Sequence, residues 1–238
     1  MVKRDKSNII ERINSSDKVY KKVRSVIPII LSKFKPIVLH SENLIVDAGG
    51  VIVAPNHQST LDPLIITSII DKNIHWAALK RFFDAKDSIF NNSKNPILCQ
   101  ITSKMFRKLE YFPIERMYDN PKANNMNSIR NMLNFLNQKQ YVGIFPEGTT
   151  NKSENDFGTF DPGFVQIAMK TNAHIQPITV LWIKESKLPY QIIVNIGLPF
   201  TIDGMTKDEI YEKYVNIQKK QLNENRQKIL ELKNQYGT

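Results

Sequence analysis

Short apolar runs alternate with helical periods along most of this chain, and that alternation admits few folds. The runs 44–46, 51–54, 74–79, 110–114, 141–145, 175–183 and 190–196 are bounded by Gly, Pro or Asn and read as strands. Between them, Met126, Ile129, Met132, Leu133 and Leu136 recur on one helical face. Asp62 followed by Pro63 predicts a helix over 63–70, with Asp62 as its N-cap and Pro63 at its first position. A second short helix is expected over 162–171. Thr206 and Glu209 have the spacing of a capping box and open a charged C-terminal helix. The pattern predicts an α/β fold, a largely parallel or mixed central sheet flanked by helices. The polar stretch 84–97, with Asn91, Asn92 and Asn95, is expected to be an insertion loop.

The first 40 residues differ from the rest. They hold ten of the chain's 33 basic residues against three acids, a net +7 out of +10. Over 17–35, basic positions (Lys18, Lys21, Lys22, Arg24, Lys33, Lys35) interleave with apolar ones (Val19, Val23, Val26, Ile27, Ile30, Leu31, Phe34). Pro28 splits any helix there and Pro36 ends it. Two readings fit: amphipathic helices lying in a lipid headgroup layer, or an ordinary helix packed on the domain with its lysines in water. No apolar run approaches the roughly 18–20 residues of a membrane-spanning helix, and no signal-peptide pattern opens the chain. A single cysteine, Cys99, excludes a disulfide framework and a Cys-rich zinc module. The organisation expected is a basic amphipathic membrane-associating segment (1–40), a catalytic domain (41–205) and a C-terminal helix (206–238).

Three constellations could carry chemistry. In the first, the apolar strand 51–54 runs through Pro55 and Asn56 to His57, and Asp62 follows five residues later. A histidine at a strand's carboxyl edge can act as a general base near neutral pH, and a carboxylate folded back on it would fix its tautomer. The same pair also fits a hydrogen-bonded loop histidine beside a helix cap. The second is Phe145, Pro146, Glu147, Gly148, Thr149 and Thr150, a strand end with a carboxylate, backbone N–H groups and hydroxyls suited to hydroxyl or phosphate recognition, or a plain turn. The third is Phe112 to Arg116, where a strand delivers an arginine able to grip a phosphate or to pair with a nearby acid. No second histidine or carboxylate stands at metal-ligand spacing near His57, and there is neither a P-loop nor a Gly-x-Gly-x-x-Gly.

Taken in order, these segments resemble the glycerolipid acyltransferases, specifically the 1-acyl-glycerol-3-phosphate (lysophosphatidate) acyltransferases. Asn56, His57 and Asp62 match the family's Asn-His-x4-Asp. Phe112 to Arg116 match its aromatic-apolar-acid-Arg strand end, Phe145 to Thr149 its Phe-Pro-Glu-Gly-Thr, and Ile175 to Ile178 its Pro-containing strand. Lys80 stands where many members carry lysine. The resemblance covers roughly 40–200. It implies His57 and Asp62 as catalytic residues, with Arg116, Glu147, Gly148, Thr149 and Lys80 binding substrate. It also implies acyl transfer from acyl-CoA or acyl-carrier protein to lysophosphatidic acid, with no metal or cofactor, at the cytoplasmic face of an anionic membrane by peripheral or monotopic attachment. Thr150 replaces the arginine that members usually carry there, which leaves another acceptor, such as glycerol-3-phosphate, open. A nucleic-acid partner is the alternative for the basic segment. Such a partner calls for aromatics among the charges, and residues 1–40 hold only Tyr20 and Phe34. Lipid is therefore expected, and no nucleic acid.

Overall fold

The structure is a computed structural model and describes residues 17–22, 24–25, 35–44, 49–70, 72–88, 94–116, 124–151, 153, 156–183 and 192–237. Among the described residues seven strands form one sheet: β1 (Ile37–Leu39), β2 (Val51–Pro55), β3 (Ile74–Leu79), β4 (Phe112–Ile114), β5 (Tyr141–Gly143), β6 (His174–Trp182) and β7 (Ile192–Ile196). Their order is β1-β7-β6-β2-β5-β3-β4. From β6 across to β4 every neighbouring pair is parallel; β7 runs antiparallel to β6, with β1 parallel to β7. The sheet is mixed, one of the two arrangements that the alternation of elements allows. Beyond β1 the described α-helices are α1 (Asp62–Ile69), α2 (Lys80–Phe83), α3 (Pro96–Lys108), α4 (Met126–Asn137), α5 (Gly163–Thr171) and α6 (Lys207–Tyr236).

Every residue of β2 is buried, because both faces of the sheet are covered. Val51 and Val53 point to one side, where they meet Ile65 and Ile66 of α1, Phe82 and Phe83 of α2 and Phe106 of α3. Ile52 and Ala54 point to the other, against Met132 and Leu136 of α4, Phe164 and Ala168 of α5 and Ile210 and Tyr214 of α6. This is the period-two consequence of the pleat. The capping box at the start of α6 forms as expected: Glu209 N–H donates to Thr206 Oγ1 (3.3 Å), and Thr206 N–H donates to Glu209 Oε2 (2.7 Å).

Proline in the interior strand β6 would leave an acceptor without its donor. Gly197 N–H donates to the Pro177 carbonyl (3.0 Å), but Pro177 has no N–H to return. The neighbouring Gln176 side chain supplies the missing bond, Nε2 donating to the Gly197 carbonyl at 2.6 Å.

Four expectations are corrected. Of the strand expected over 44–46, Leu44 lies outside any strand, just past a 3₁₀ turn at 41–43; 45 and 46 lie outside the described residues. The first strand is instead Ile37–Leu39, inside the segment expected to be separate, and it pairs with the distant Ile193–Asn195. A three-residue run says nothing by itself about a partner so far along the chain. The expected 84–97 loop ends early, because Asn95 caps α3: its Oδ1 accepts from Ile97 N–H (2.9 Å), and Pro96 opens the helix. Residues 89–93 lie outside the description. Asp62 is the first residue of α1 rather than its N-cap, a position held by Leu61.

Within the basic segment, 17–22 and 24–25 are helical. Tyr20 is fully buried in the core, its hydroxyl hydrogen-bonded to the carbonyls of Ile74 (2.6 Å) and Leu109 (3.0 Å). This part of the segment packs on the domain. Val23, Pro28 and the apolar positions 26–34 lie outside the described residues.

Candidate active site

The strands β2, β5, β3 and β4 lie side by side and run parallel, so their carboxyl ends form one edge. Along it stand, in order, His57, Glu147, Lys80 and Arg116, each on the chain just past its strand. At about 4.8 Å per strand, three spacings separate the His57 end from the Arg116 end by roughly 14 Å.

Past Pro55 the backbone leaves the β2 ladder, and Asn56 continues it with its side chain. Its Nδ2 donates to the Val180 carbonyl (3.0 Å), and its Oδ1 accepts from Val180 N–H (2.6 Å). His57 is then held from the β5 side. Its N–H donates to Glu147 Oε1 (2.8 Å), and its carbonyl accepts from Asn151 N–H (2.6 Å). Gln58 ties the turn to β6 again, Oε1 accepting from Trp182 N–H at 2.8 Å.

The imidazole of His57 sits 3.0 Å by Nδ1 from Asp62 Oδ2. Asp62 is 0% exposed, and a buried carboxylate needs donors. It has four. Oδ2 accepts from His57 Nδ1, Gln58 N–H (2.7 Å) and Ser59 N–H (2.7 Å), and Oδ1 accepts from the indole Nε1 of Trp182 (2.8 Å). The carboxylate is acceptor-only, so the proton of neutral His57 lies on Nδ1 and the lone pair on Nε2. The ring is 17% exposed. One face stacks on Phe145 (4.0 Å between centroids, 30°), and Phe145 in turn stacks on Trp76 (4.9 Å, 22°). Trp76 is buried and donates from Nε1 to Thr67 Oγ1 on α1 (3.0 Å). Opposite it in the sheet is Gly143, where a Cβ would lie 2.1 Å from the indole.

Glu147 does not extend outward as a substrate ligand would. Its two oxygens accept from the backbone N–H groups of His57 and of Gly158 (2.7 Å), so the carboxylate holds two loops together. Gly148 has φ +62°, a conformation glycine adopts without strain, and its N–H closes the turn onto the Phe145 carbonyl (3.0 Å). Gly148, Thr149 and Thr150 are exposed. At the far end of the edge Lys80 Nζ lies 3.0 Å from Glu115 Oε1, and the hydrogen bond and charge of Glu115 hold the ammonium above the usual lysine range. Asn125 fixes the approach to Arg116, its amide exchanging two hydrogen bonds with the Glu115 backbone (2.9 and 2.8 Å).

His57, Asp62 and Glu147 are thus in one bonded group, while Lys80 and Arg116 belong to a second, cationic end. Gln58, Trp182, Trp76 and Asn125 complete the site without standing among the residues picked from sequence. An indole at the last position of an apolar strand is the one signal Trp182 offers, since a buried indole seeks an acceptor. Among the described residues no three His, Cys, Asp or Glu side chains come together as a metal set.

The family model named Acyltransferase matches residues 36–181. The chain belongs to the acyltransferase family. Two curated relatives agree, both named 1-acyl-sn-glycerol-3-phosphate acyltransferase. That of Borreliella burgdorferi is 30% identical over 168 residues (71% of this chain), and that of Bacillus subtilis is 28% identical over 138 residues (57% of this chain). The matched stretch spans 59% of each relative's length. The fold matches the crystal structure of the 1-acyl-sn-glycerophosphate (LPA) acyltransferase of Thermotoga maritima, with a TM-score of 0.60 at 18% identity, over 94% of this chain and 84% of that one. The matched family region takes in β1 and most of β6 and so contains the whole strand edge described above.

Proposed function

We propose that this chain transfers a fatty acyl group from a thioester, acyl-CoA or acyl-carrier protein, to the free hydroxyl of 1-acyl-glycerol-3-phosphate, giving phosphatidic acid for phospholipid synthesis. The observation that carries the reading is the imidazole of His57, its Nδ1 on a buried carboxylate and its Nε2 lone pair left for a proton. The family and the names of its relatives supply the acyl and acceptor classes.

In this mechanism Nε2 takes the acceptor's hydroxyl proton as that oxygen bonds to the thioester carbonyl carbon. Collapse of the tetrahedral intermediate breaks the carbon–sulfur bond, and the imidazolium returns the proton to the leaving thiolate. Asp62 stabilises the imidazolium between the two steps. No covalent acyl-enzyme, metal or cofactor takes part. Arg116 and Lys80 form the cationic end that receives the acceptor's phosphate. Glu147, with Gly148 and Thr149 beside it, keeps His57 in place beneath the acceptor's glycerol. The partners are lysophosphatidic acid, the acyl donor and an anionic membrane surface. Attachment is from the cytoplasmic side without spanning; no helix among the described residues is long and apolar enough to cross a membrane.

The deciding experiment incubates the purified protein with a panel of lysolipids and glycerol-3-phosphate, using labelled acyl-CoA or acyl-carrier protein, and identifies the products by mass. Phosphatidic acid as the main product is expected. Thr150 is exposed at the position where the family resemblance implies an arginine, and acylation of glycerol-3-phosphate in preference would move the assignment to that acceptor. The absence of any acylated product would overturn the reading.

A further inference from the structure

The inward face of α3 is buried through Cys99, Thr102, Ser103 and Phe106. Its outward face carries Ile97 and Ile101, 69% and 48% exposed, followed by the exposed Lys104 and Lys108. Spacings of four, seven and eleven put these four side chains in one stripe. None of the 13 residues of α3 is acidic, and the exposed Lys94 precedes its cap. The stripe therefore reads apolar at one end and purely basic beyond.

Topology says which end. α3 connects β3 to its parallel neighbour β4, so it must start at the carboxyl edge of the sheet and run back toward the other edge. Its first turns, with Ile97 and Ile101, thus lie on the same edge as Lys80 and Arg116. Among the described residues, neither isoleucine belongs to a core cluster.

We infer that the first turns of α3 are a lipid-docking surface: Ile97 and Ile101 enter the headgroup layer of an anionic bilayer, and Lys94 and Lys104 lie against its phosphates. The occupant follows from the charge. A stripe of lysines with no acid complements an anionic surface, and an apolar pair adds a term that salt does not screen. The inference rests on the reading of the acceptor as a membrane lipid, and it concerns a surface apart from the basic N-terminal segment. Docking there would place the cationic end of the site at the headgroup level from which a lysophospholipid is drawn.

The test uses the full chain and sedimentation with vesicles of equal parts phosphatidylcholine and phosphatidylglycerol. Ile97→Ser with Ile101→Ser should lower partitioning about tenfold at both low and high salt. Lys94→Gln with Lys104→Gln should lower it by a similar factor at low salt and little at high salt. Turnover on detergent-dispersed lysophosphatidate should be unchanged in both. In a separate variant, Ile101→Trp should add a blue-shifted emission component on these vesicles and none with pure phosphatidylcholine. Unchanged partitioning of the isoleucine variant, or an Ile101→Trp emission that ignores vesicles, overturns the proposal. So does a dimer of the parent that the isoleucine variant dissolves in sedimentation equilibrium, because the stripe would then be a contact between two copies. If the parent acylates no lysolipid while the isoleucine variant still loses partitioning, the acceptor assignment falls and the docking surface stands.

Discussion

Gly143→Ala should slow acyl transfer without touching any group that meets substrate. The added Cβ would lie 2.1, 2.4 and 2.6 Å from three carbons of the Trp76 ring. Carbon atoms in contact sit about 3.5–4.0 Å apart, so the indole must retreat by about 1.4 Å or more. It is buried, bonded to Thr67 and stacked on Phe145, which is itself stacked on His57. The displacement thus passes along the column toward the imidazole. Overpacking of this kind destabilises by about 1–3 kcal/mol, a Tm loss of roughly 2–12 °C for a chain of this size. A misplacement of about 1 Å can lower a rate about a hundredfold; we expect kcat to fall about 10- to 100-fold with KM for the acyl donor nearly unchanged. The assay is steady-state transfer from labelled acyl-CoA to lysophosphatidate, run beside a thermal melt. Adding Trp76→Leu to Gly143→Ala removes the clash but also the stack; it should recover part of the Tm and leave kcat low. If folded Gly143→Ala turns over within a factor of two of the parent, the column does not position His57. If the double variant recovers kcat along with Tm, strain and not stacking is the cause.

Three further outcomes are expected. His57→Ala should reduce turnover about 10²–10⁴-fold in a folded protein, and Asp62→Asn should also reduce it severely, because an amide permits the wrong tautomer; near-parental rates in folded His57→Ala would refute the base assignment. Arg116→Ala should raise KM for the phosphate-bearing acceptor more than for the donor, with Arg116→Lys only partly restoring it; a rise confined to the donor's KM would place Arg116 elsewhere. Acid stability should depend on His75, whose pKa is pushed down to about 4 by burial. The unfolded chain protonates it from about pH 6.5, so stability falls as pH drops from there to about 4, by about 3 kcal/mol, and no further from this group. His75→Gln should flatten that part of the curve in denaturant titrations at several pH values; an unchanged slope would show that His75 does not set it.

Much of the fold was legible because strands buried on both faces write themselves as apolar runs. The runs at 51–54, 74–79 and 175–183 reappear as β2, β3 and β6 within a residue or two. Ile37–Leu39 escaped because so short a run acquires its meaning only from β7, more than 150 residues away. α3 was hidden by the asparagines before it, though Asn95-Pro96 is itself a helix start. At the site, the spacing of His57 and Asp62 brought the two side chains into hydrogen-bond range as read. Glu147 shows where spacing stops helping: its Pro-Glu-Gly setting reads as an edge loop suited to substrate recognition or as a plain turn, and neither reading names the His57 and Gly158 N–H groups that its carboxylate engages from two separate loops. Trp182 and Trp76 act through ring geometry and a single N–H, which no local pattern announces.

The bonds that hold the His57 turn to β6 have a temporal consequence. Asn56, Gln58 and Asp62 each depend on Val180 or Trp182, partners 120–124 residues further along the chain. A ribosome that has passed Thr149, beyond β5, has made every residue named as a reactive or binding group, yet the indole that holds one oxygen of Asp62 has not been synthesised. Until β6 pairs with β2, Asp62 lacks its Trp182 donor and the His57 turn lacks its side-chain bonds to β6. That step closes the centre of the sheet and brings in the Trp182 partner of Asp62 in one event.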